Sequence, residues 1–359
     1  MIGSVYFLCP PLGPPENTAY LHNVIALAEG LRELGVPTYA NIDYWSTDSG
    51  PLLTAHGPDF RDCDAVVIDS ANYDAGFGQL VPKGLFGKQR AYRLAYIDDS
   101  DARMSHGFAD EVAEADVVLK VHYNRKHRYP SNFVPWQFGL TTRQIGQAEP
   151  LAPSFRRPTF LTNFRVSQPA RELARRLLVP LLREMMDEDT TIDGFDATSG
   201  MTERDLALWH LTGRRHYPAY YQRLASSLAC QCFGGSFEKR FEEQRTWLER
   251  VLYKIDWRLD LFPAASISLF DNFRFWESMA AGCCALHVDF ERYGAVFPCM
   301  PRNGEHYIGV DFSDLRPTTR LLTHGREAIA AVGAAGRAWV LEHYSPRPVA
   351  ERFLDAVGR

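Results

Sequence analysis

Short apolar runs alternate with longer amphipathic segments through the first part of the chain. The apolar runs are VYFLCP, VPTYANIDYW, DAVVIDSA (64–71), RLAYIDDSD (93–101) and ADVVLKVHY (115–123). The segment after the first run carries Ile25, Leu27, Leu31 and Leu34 on one side and ends at Gly35, which is typical of a helix. Strands separated by helices predict a parallel α/β sheet, so residues 1–150 are predicted to form a Rossmann-like domain.

The same pattern restarts after GQAEPLAPSFRRP (146–158), which is rich in Pro and polar residues as linkers are. TFLTNFR and TTIDGFDA are predicted strands, 169–186 is a predicted helix, and FEKRFEEQRTWLERVLYKI is a predicted charged amphipathic helix. The segment 200–218 is predicted to be an insertion or an irregular helix. A second Rossmann-like domain is therefore predicted over 151–340, followed by a helical segment over 341–359.

The stretch DNFRFWESMAAGC (271–283) is predicted to be a helix with a cation in its first turn. Asp271 is a suitable N-cap residue and Gly282 a suitable terminator, while flanking apolar runs indicate a strand on each side. Arg274 lies where the helix dipole disfavours a cation by about 0.3–1 kcal/mol. A bound phosphate would resolve this conflict, because the guanidinium and the free N–H groups are both donors. Alternatively, Arg274 and Glu277 form an ordinary i,i+3 surface pair.

The segment FDNFRFWESMAAGCCALHVD, followed by GEHYIGVDFSDL and AGRAWVLEHYSPRPVAERFL, resembles the carboxyl-terminal half of GT-B glycosyltransferases, of the bacterial group-1 and exostosin-like types. The resemblance covers roughly the last 100 residues. It implies an α/β protein with two Rossmann-like domains facing across a cleft, the acceptor on the first domain and a nucleotide sugar on the second. It also implies that the terminal helix crosses back to the first domain, and that neither a metal nor a cofactor is required.

The resemblance implies a diphosphate site in the second domain. Its expected residues combine the start of the 271–282 helix, a glycine turn and nearby cations, namely Arg165, Gly234, Gly235, Lys239, Asn272, Arg274 and Glu277. Glycines allow close backbone approach to a phosphate, and cations neutralise the departing diphosphate. Glu277 is expected to bind hydroxyl groups of the ribose or the sugar. Alternatively, Lys239 lies on the solvated face of a charged helix.

Three carboxylates follow the apolar strand that ends at Ile97, and they are the candidate catalytic bases. Asp98, Asp99 and Asp101 would lie at the carboxyl end of a strand, facing the cleft. A carboxylate there could take the proton of an acceptor hydroxyl, and neighbouring acids raise one another's pKa. Alternatively, each could cap a turn or a helix.

The amino-acid composition limits the class of partner and the cellular compartment that can be expected. The chain has 39 Lys and Arg against 44 Asp and Glu, and the formal charge of −5 argues against nucleic acid as the main partner. Seven cysteines without metal-ligand spacing, no signal peptide and no transmembrane run indicate a cytoplasmic protein.

The first hypothesis is therefore transfer of a sugar from a UDP-, GDP-, ADP- or dTDP-linked donor to an unknown hydroxyl acceptor. The alternatives are a nucleotide-sugar epimerase or hydrolase of the same fold, and a non-catalytic protein that binds nucleotide sugars. Turnover without an acceptor would separate the second hypothesis from the first, and the third predicts that Asp98, Asp99 and Asp101 can be replaced with no effect except on stability.

Overall fold

A computed structural model describes residues 2–11, 20–47, 49–70, 81–87, 89–99, 112–163, 168–190, 202–212, 218–239, 246–259 and 264–358. The strands are β1 Val5–Leu8, β2 Thr38–Ala40, β3 Tyr44–Thr47, β4 Gly50–Leu53, β5 Ala65–Asp69, β6 Arg93–Asp98, β7 Val117–Lys120, β8 Phe133–Pro135, β9 Arg157–Leu161, β10 Asp187–Asp189, β11 Ser227–Gln231, β12 Ser236–Glu238, β13 Ser266–Ser268, β14 Cys284–Val288 and β15 Ile308–Val310. Asp101, Arg165 and nearly all of TTIDGFDA lie outside the described residues.

The helices connect these strands. They are His22–Glu33 (the first helix), Thr142–Gln147, Pro169–Leu173 and Val179–Arg183 with the π-helical Ala174–Leu178 between them, Glu203–Leu211, Pro218–Ser226, Trp247–Leu259, Phe273–Ala280 (the site helix), Phe290–Tyr293, Arg316–Thr323, Arg326–Tyr344 and Pro346–Val357 (the last helix). Short 3-10 turns occur at Phe60–Asp62 and Pro153–Phe155.

Two parallel sheets form the framework. The first has the order β2-β1-β5-β6-β7-β8 and the second the order β10-β9-β11-β14-β15, and every pairing within them is parallel. The strands are almost continuously buried, as expected where helices cover both faces. We call the first sheet with the first and last helices the first lobe, and the second sheet with its helices the second lobe. The prediction of two Rossmann-like α/β units is confirmed.

The last helix completes the core of the first lobe. Val349, Ala350 and Phe353 are buried in the same apolar cluster as β1, β5 and the first helix. The two helices approach very closely at Gly30, where an added Cβ atom would lie 2.0 Å from the carbonyl oxygen of Pro346. A side chain at position 30 would therefore force the helices apart.

Some predicted elements differ from the structure. β13 precedes the site helix but pairs with β12 in an antiparallel hairpin, so the strand before this helix is not in the parallel sheet. The predicted charged helix over 237–255 was wrong at its start, because residues 236–238 form β12 and the described helix begins at Trp247. Within the segment 200–218, predicted to be an insertion or an irregular helix, residues Glu203–Leu211 form an α-helix. Among the described residues, no helix is both long and apolar enough to cross a membrane.

Candidate active site

The carboxyl edge of the first sheet carries most of its charged side chains. β5 ends at Asp69 and is followed by Ser70, β6 ends at Asp98 and is followed by Asp99, and β7 ends at Lys120. Neighbouring parallel strands in register bring these ends to one edge, with Asp98 opposite Lys120. Ligands of open α/β sheets bind at such an edge.

Asp98 is used in a buried ion pair. Its Oδ2 atom lies 3.1 Å from Nζ of Lys120, and both side chains are 0% exposed. A buried charge is tolerated only when it is paired and hydrogen-bonded, so each residue needs the other. The burial and pairing of Asp98 set it apart from an accessible carboxylate, and its role as a catalytic base stays a prediction.

Asp99 is half-buried and held from two sides. Ser70 donates from Oγ to Oδ1 at 2.5 Å, and Asn23 donates from Nδ2 to Oδ2 at 3.3 Å. Burial raises the pKa of Asp99 and the charge of Asp98 raises it further, while the bonds from Ser70 and Asn23 act in the opposite direction. Asp99 is thus oriented, partly accessible and more basic than an exposed aspartate.

The site helix begins differently from the prediction. Its N-cap is Asn272, whose Oδ1 accepts from the N–H of Phe275 at 3.3 Å and whose Nδ2 donates to the carbonyl of Cys232 at 2.8 Å. Asp271 instead accepts from the N–H of Phe138 at 2.9 Å and from Nε1 of Trp276 at 2.5 Å. One N–H group that was expected to be available to a phosphate is therefore already bonded to Asn272.

Two arginines lie together beside this helix start. Arg274 donates from Nε to the carbonyl of Asn163 at 2.6 Å, and Arg171 donates from Nε to the carbonyl of Phe233 at 3.0 Å. Burial, with the neighbouring charge of Arg274, lowers the pKa of Arg171 to about 10. Arg171 and Arg274 therefore form a pair of interacting, half-buried cations beside the helix start. The sequence did not indicate Arg171, because nothing local links it to residue 274.

The glycine turn lies next to the arginines, and packing explains its glycines. The N–H of Gly235 donates to Oε1 of Gln168 at 3.1 Å, and its φ is +101°. A Cβ atom at Gly235 would lie 2.4 Å from the carbonyl oxygen of Ser268, and one at Gly234 would lie 3.0 Å from Nδ2 of Asn272. The turn is therefore built to meet the β13 segment and the helix cap, whether or not a phosphate binds.

The remaining predicted donor residues are placed as follows. Glu277 is 2% exposed, and its Oε1 atom accepts from the hydroxyl of Tyr221 at 2.9 Å and from Nε2 of Gln144 at 3.4 Å. Lys239 follows β12 at the end opposite Gly235 and is half-buried. Roles for Glu277 and Lys239 in donor binding stay predictions.

The edge of the first sheet lies next to the start of the site helix. Nδ1 of His122, two residues beyond Lys120, accepts from the N–H of Asp271 at 3.1 Å. Burial and then the charge of Lys120 lower the pKa of His122 to about 3, so the ring is neutral and its proton is on Nε2. His122 has a φ of +60°, an unfavourable conformation for this residue type.

A second contact joins the same two regions. The ring of His22, in the first helix, lies 4.8 Å from the ring of Phe273 at the start of the site helix. His22 is adjacent to Asn23, which binds Asp99, and Phe273 is adjacent to Arg274. The first helix and the start of the site helix are therefore in contact between the lobes. Within the described ranges, no group of three or more His, Cys, Asp and Glu residues is arranged to hold a metal ion.

Solved structures with the same architecture are glycosyltransferases. One of them is an alpha-glucosyltransferase in complex with UDP and a 13-mer DNA. The superposition has a TM-score of 0.55 and 11% sequence identity, and it covers 100% of both protein chains. A structure of alpha-glucosyltransferase with UDP-glucose and DNA containing an abasic site gives 0.54 and 10%, over 99% of both. A glycosyltransferase from Rickettsia africae gives 0.51 and 12%, over 99% of this chain and 97% of that one.

The chain has the GT-B glycosyltransferase fold. The fold resemblance seen in the carboxyl-terminal segments is thereby confirmed over the full length of the chain. No family model matches the chain, and no curated protein matches it in sequence. At these identities the similarity establishes the arrangement of the two lobes, and the chemistry has to be argued from the side chains.

Proposed function

We propose that this protein is a glycosyltransferase that moves a hexose from a nucleotide-diphosphate sugar to a hydroxyl acceptor. The observation that carries the proposal is a pair of interacting arginines at the start of the site helix, Arg171 and Arg274, together with an oriented, half-buried carboxylate, Asp99, at the carboxyl edge of the first sheet. Transfer of a sugar needs both kinds of group, because a diphosphate anion leaves while a hydroxyl proton is taken up.

On the donor side, the diphosphate lies against Arg171, Arg274 and the start of the site helix. When the bond between the anomeric carbon and the diphosphate oxygen breaks, the electron pair stays on the diphosphate and the arginines stabilise its charge. UDP is the proposed nucleotide, since alpha-glucosyltransferase structures of this fold contain UDP or UDP-glucose. Arg165, Gly234, Gly235, Lys239, Asn272 and Glu277 remain proposed donor-binding residues.

On the acceptor side, Asp99 is the base. The acceptor oxygen forms the new bond to the anomeric carbon, and its proton passes to the carboxylate of Asp99. The raised pKa suits this role, because it makes the carboxylate a stronger proton acceptor while it is ionised. Asp101 remains a proposed catalytic residue from the sequence. Residues 1–150 are the proposed acceptor domain and 151–340 the proposed donor domain.

The proposed compartment is the cytoplasm, where nucleotide sugars are available and thiols stay reduced. The free cysteines Cys9, Cys63, Cys230, Cys232, Cys283 and Cys284 are buried, and Cys299 is half-buried and also free. The net charge of −5 favours a small molecule or saccharide over nucleic acid as the acceptor.

A thermal-shift series with UDP, GDP, ADP, dTDP and their glucose conjugates tests the donor site. A ligand that binds the folded state raises the unfolding temperature according to its concentration over its Kd, so the preferred base is distinguished directly. Arg171→Ala and Arg274→Ala should each weaken binding of the preferred nucleotide by about 10–100-fold, the range for a lost charged hydrogen bond.

Lys239→Ala is the comparison variant, since this residue lies at the far end of β12. If only Lys239→Ala loses affinity for the nucleotide, the diphosphate does not bind at the start of the site helix and the proposed donor position is wrong.

Release of UDP from UDP-glucose without any acceptor, at the full rate, would favour the hydrolase alternative. Nucleotide binding without turnover under any acceptor would favour a non-catalytic protein.

A further inference from the structure

The helix Trp247–Leu259 presents a row of large apolar side chains to solvent, which we call the apolar row. Trp247 is 77% exposed, Leu248 is 57% exposed and Ile255 is 40% exposed. Ile255 follows both of the others by about two helical turns, so all three lie on one side of the helix. Tryptophan is mostly buried in folded proteins, and several exposed apolar side chains on one side are typical of a surface that contacts a partner.

The charged side chains of this helix are separated by sign. Arg250 and Lys254 are exposed and one turn apart, and their spacing from Trp247 places them along one border of the apolar row. Glu249 is half-buried and serves the helix start, because its Oε2 accepts from the N–H of Thr246 at 3.1 Å and its own N–H donates to Oγ1 of Thr246 at 3.1 Å. Within the described side chains of the helix, every exposed charged group is therefore cationic.

The helix belongs to the segment between β12 and β13, and the base of this segment is held in place. The two strands pair antiparallel, with Glu238 opposite Ser266 at the end where the segment leaves them. Oε2 of Glu238 accepts from Oγ of Ser266 at 2.8 Å and lies 2.6 Å from Nε2 of His127, in the segment after β7. The opposite end of the same hairpin is the glycine turn at Gly235. The segment that carries the apolar row thus starts from a fixed position beside both lobes.

We propose that the apolar row docks the protein on an anionic lipid membrane. The apolar side chains enter the boundary between headgroups and acyl chains, as Trp does at membrane interfaces, while Arg250 and Lys254 extend to the lipid phosphates. The charge complementarity is specific to this side of the molecule, because the chain as a whole carries a net charge of −5. A second copy of the chain is a poorer occupant, since a symmetric contact would bring the same two cations of each copy together.

Co-sedimentation of the full chain with lipid vesicles tests this docking. The protein should bind vesicles that contain phosphatidylglycerol more tightly than vesicles of phosphatidylcholine alone, and added salt should weaken the binding because it screens the cations. The double variant Trp247→Ser, Leu248→Ser should lower the partition coefficient for the anionic vesicles by at least about 10-fold, since two large apolar contacts are removed. Its unfolding temperature should be unchanged, because both side chains are exposed in the unmodified protein.

Phe155→Ser is the matched control. Phe155 is another large apolar side chain, 74% exposed, but it lies in the 3-10 turn Pro153–Phe155, so its loss should leave vesicle binding unchanged. Lipids brominated in their acyl chains locate the contact. They should quench the tryptophan fluorescence of the unmodified protein, whereas Trp247→Phe should still bind the vesicles and lose most of this quenching.

Five results would overturn the docking proposal. These are failure to bind anionic vesicles, equal binding with and without phosphatidylglycerol, full binding by the double variant, an equal loss in Phe155→Ser, and quenching that persists in Trp247→Phe. Light scattering of the protein alone gives one more check. A dimer that the double variant abolishes, in a protein that does not bind vesicles, would identify the apolar row as an interface between copies of this chain instead.

Discussion

The two sheets have the same strand order, yet the charged groups beside their carboxyl edges are arranged differently. Beside the first edge, Asp98 is paired with Lys120 while Asp99 is half-buried and held by Ser70 and Asn23. Beside the second edge, Asp189 and Asp311 are paired with arginines, and two further arginines, Arg171 and Arg274, interact at the start of the site helix. A parallel sheet supplies the same position in both cases, and the side chains after each strand decide what can bind there. The fold thus supplies two opposed edges, and under the proposed function the first would serve proton transfer and the second would bind the anion.

Replacement of the proposed base, Asp99, should have the largest effect on transfer activity. Asp99→Asn keeps the shape and the bond from Ser70 but cannot take a proton. Transfer to an acceptor should fall by about 10²–10⁴-fold in kcat/KM, the usual contribution of a general base, while UDP affinity stays unchanged. Steady-state kinetics together with a UDP titration provide the measurement. If Asp99→Asn keeps its activity, proton transfer does not take place at the carboxyl edge of the first sheet.

A second prediction tests whether the glycine turn beside Arg171 and Arg274 is already ordered before a nucleotide binds. Gly235→Ala places a Cβ atom against the carbonyl of Ser268 at a φ of +101°, so it should destabilise the protein by about 1–3 kcal/mol and weaken nucleotide binding with it. The matched control is Gly146→Ala, in a helix with open space around the added atom, which should be neutral or stabilising by up to about 1 kcal/mol. Thermal unfolding with and without UDP separates the two effects. Unchanged stability in Gly235→Ala would mean that the turn is ordered only by ligand.

The smallest expected effect is a change of stability with pH. It comes from titration of Asp271, which lies where the two lobes are in contact. Burial raises its pKa to about 7, above the value of about 3.9 in an unfolded chain. The folded state therefore binds this proton more tightly, so the contribution to stability is fully present below pH ~4, declines as the pH rises and is lost above pH ~7.

Asp271→Asn removes this titration. The unfolding temperature of the unmodified protein minus that of the variant should fall between pH ~4 and ~7 and stay level above. A difference that is constant across this window, or one that increases with pH, would show that Asp271 is ionised throughout and that the contact between the lobes does not titrate there.

The local sequence predicted the two α/β units, and it singled out one candidate residue beside each sheet edge that stays a prediction. Asp99 was identifiable because it directly follows an apolar strand, and Arg274 because a cation in a first helical turn is unusual. The partners were not identifiable. Arg171, Asn23 and His122 reach the site from other elements, and their roles depend on tertiary contacts that leave no periodic signal.

The same limit applies to individual residues. Asp98 and Asp99 are equivalent by sequence, but in the structure Asp98 is buried in its pair with Lys120 whereas Asp99 is half-buried. The lysine within the apolar run ADVVLKVHY was the available sign that a buried carboxylate had a partner. Asp271 and Asn272 are both acceptable caps, and the first was already used by Trp276 and Phe138.

The close packing of the last helix against Gly30 affects how the first lobe folds during synthesis. Val349, Ala350 and Phe353 are translated long after β1, yet they fill the interior that β1 helps to form. The amino-terminal half thus leaves the ribosome with an apolar surface that the nascent chain cannot yet cover. Chaperone dependence, and sensitivity to premature stop codons that precede the last helix, should accordingly appear as failure of the part of the protein that is made first.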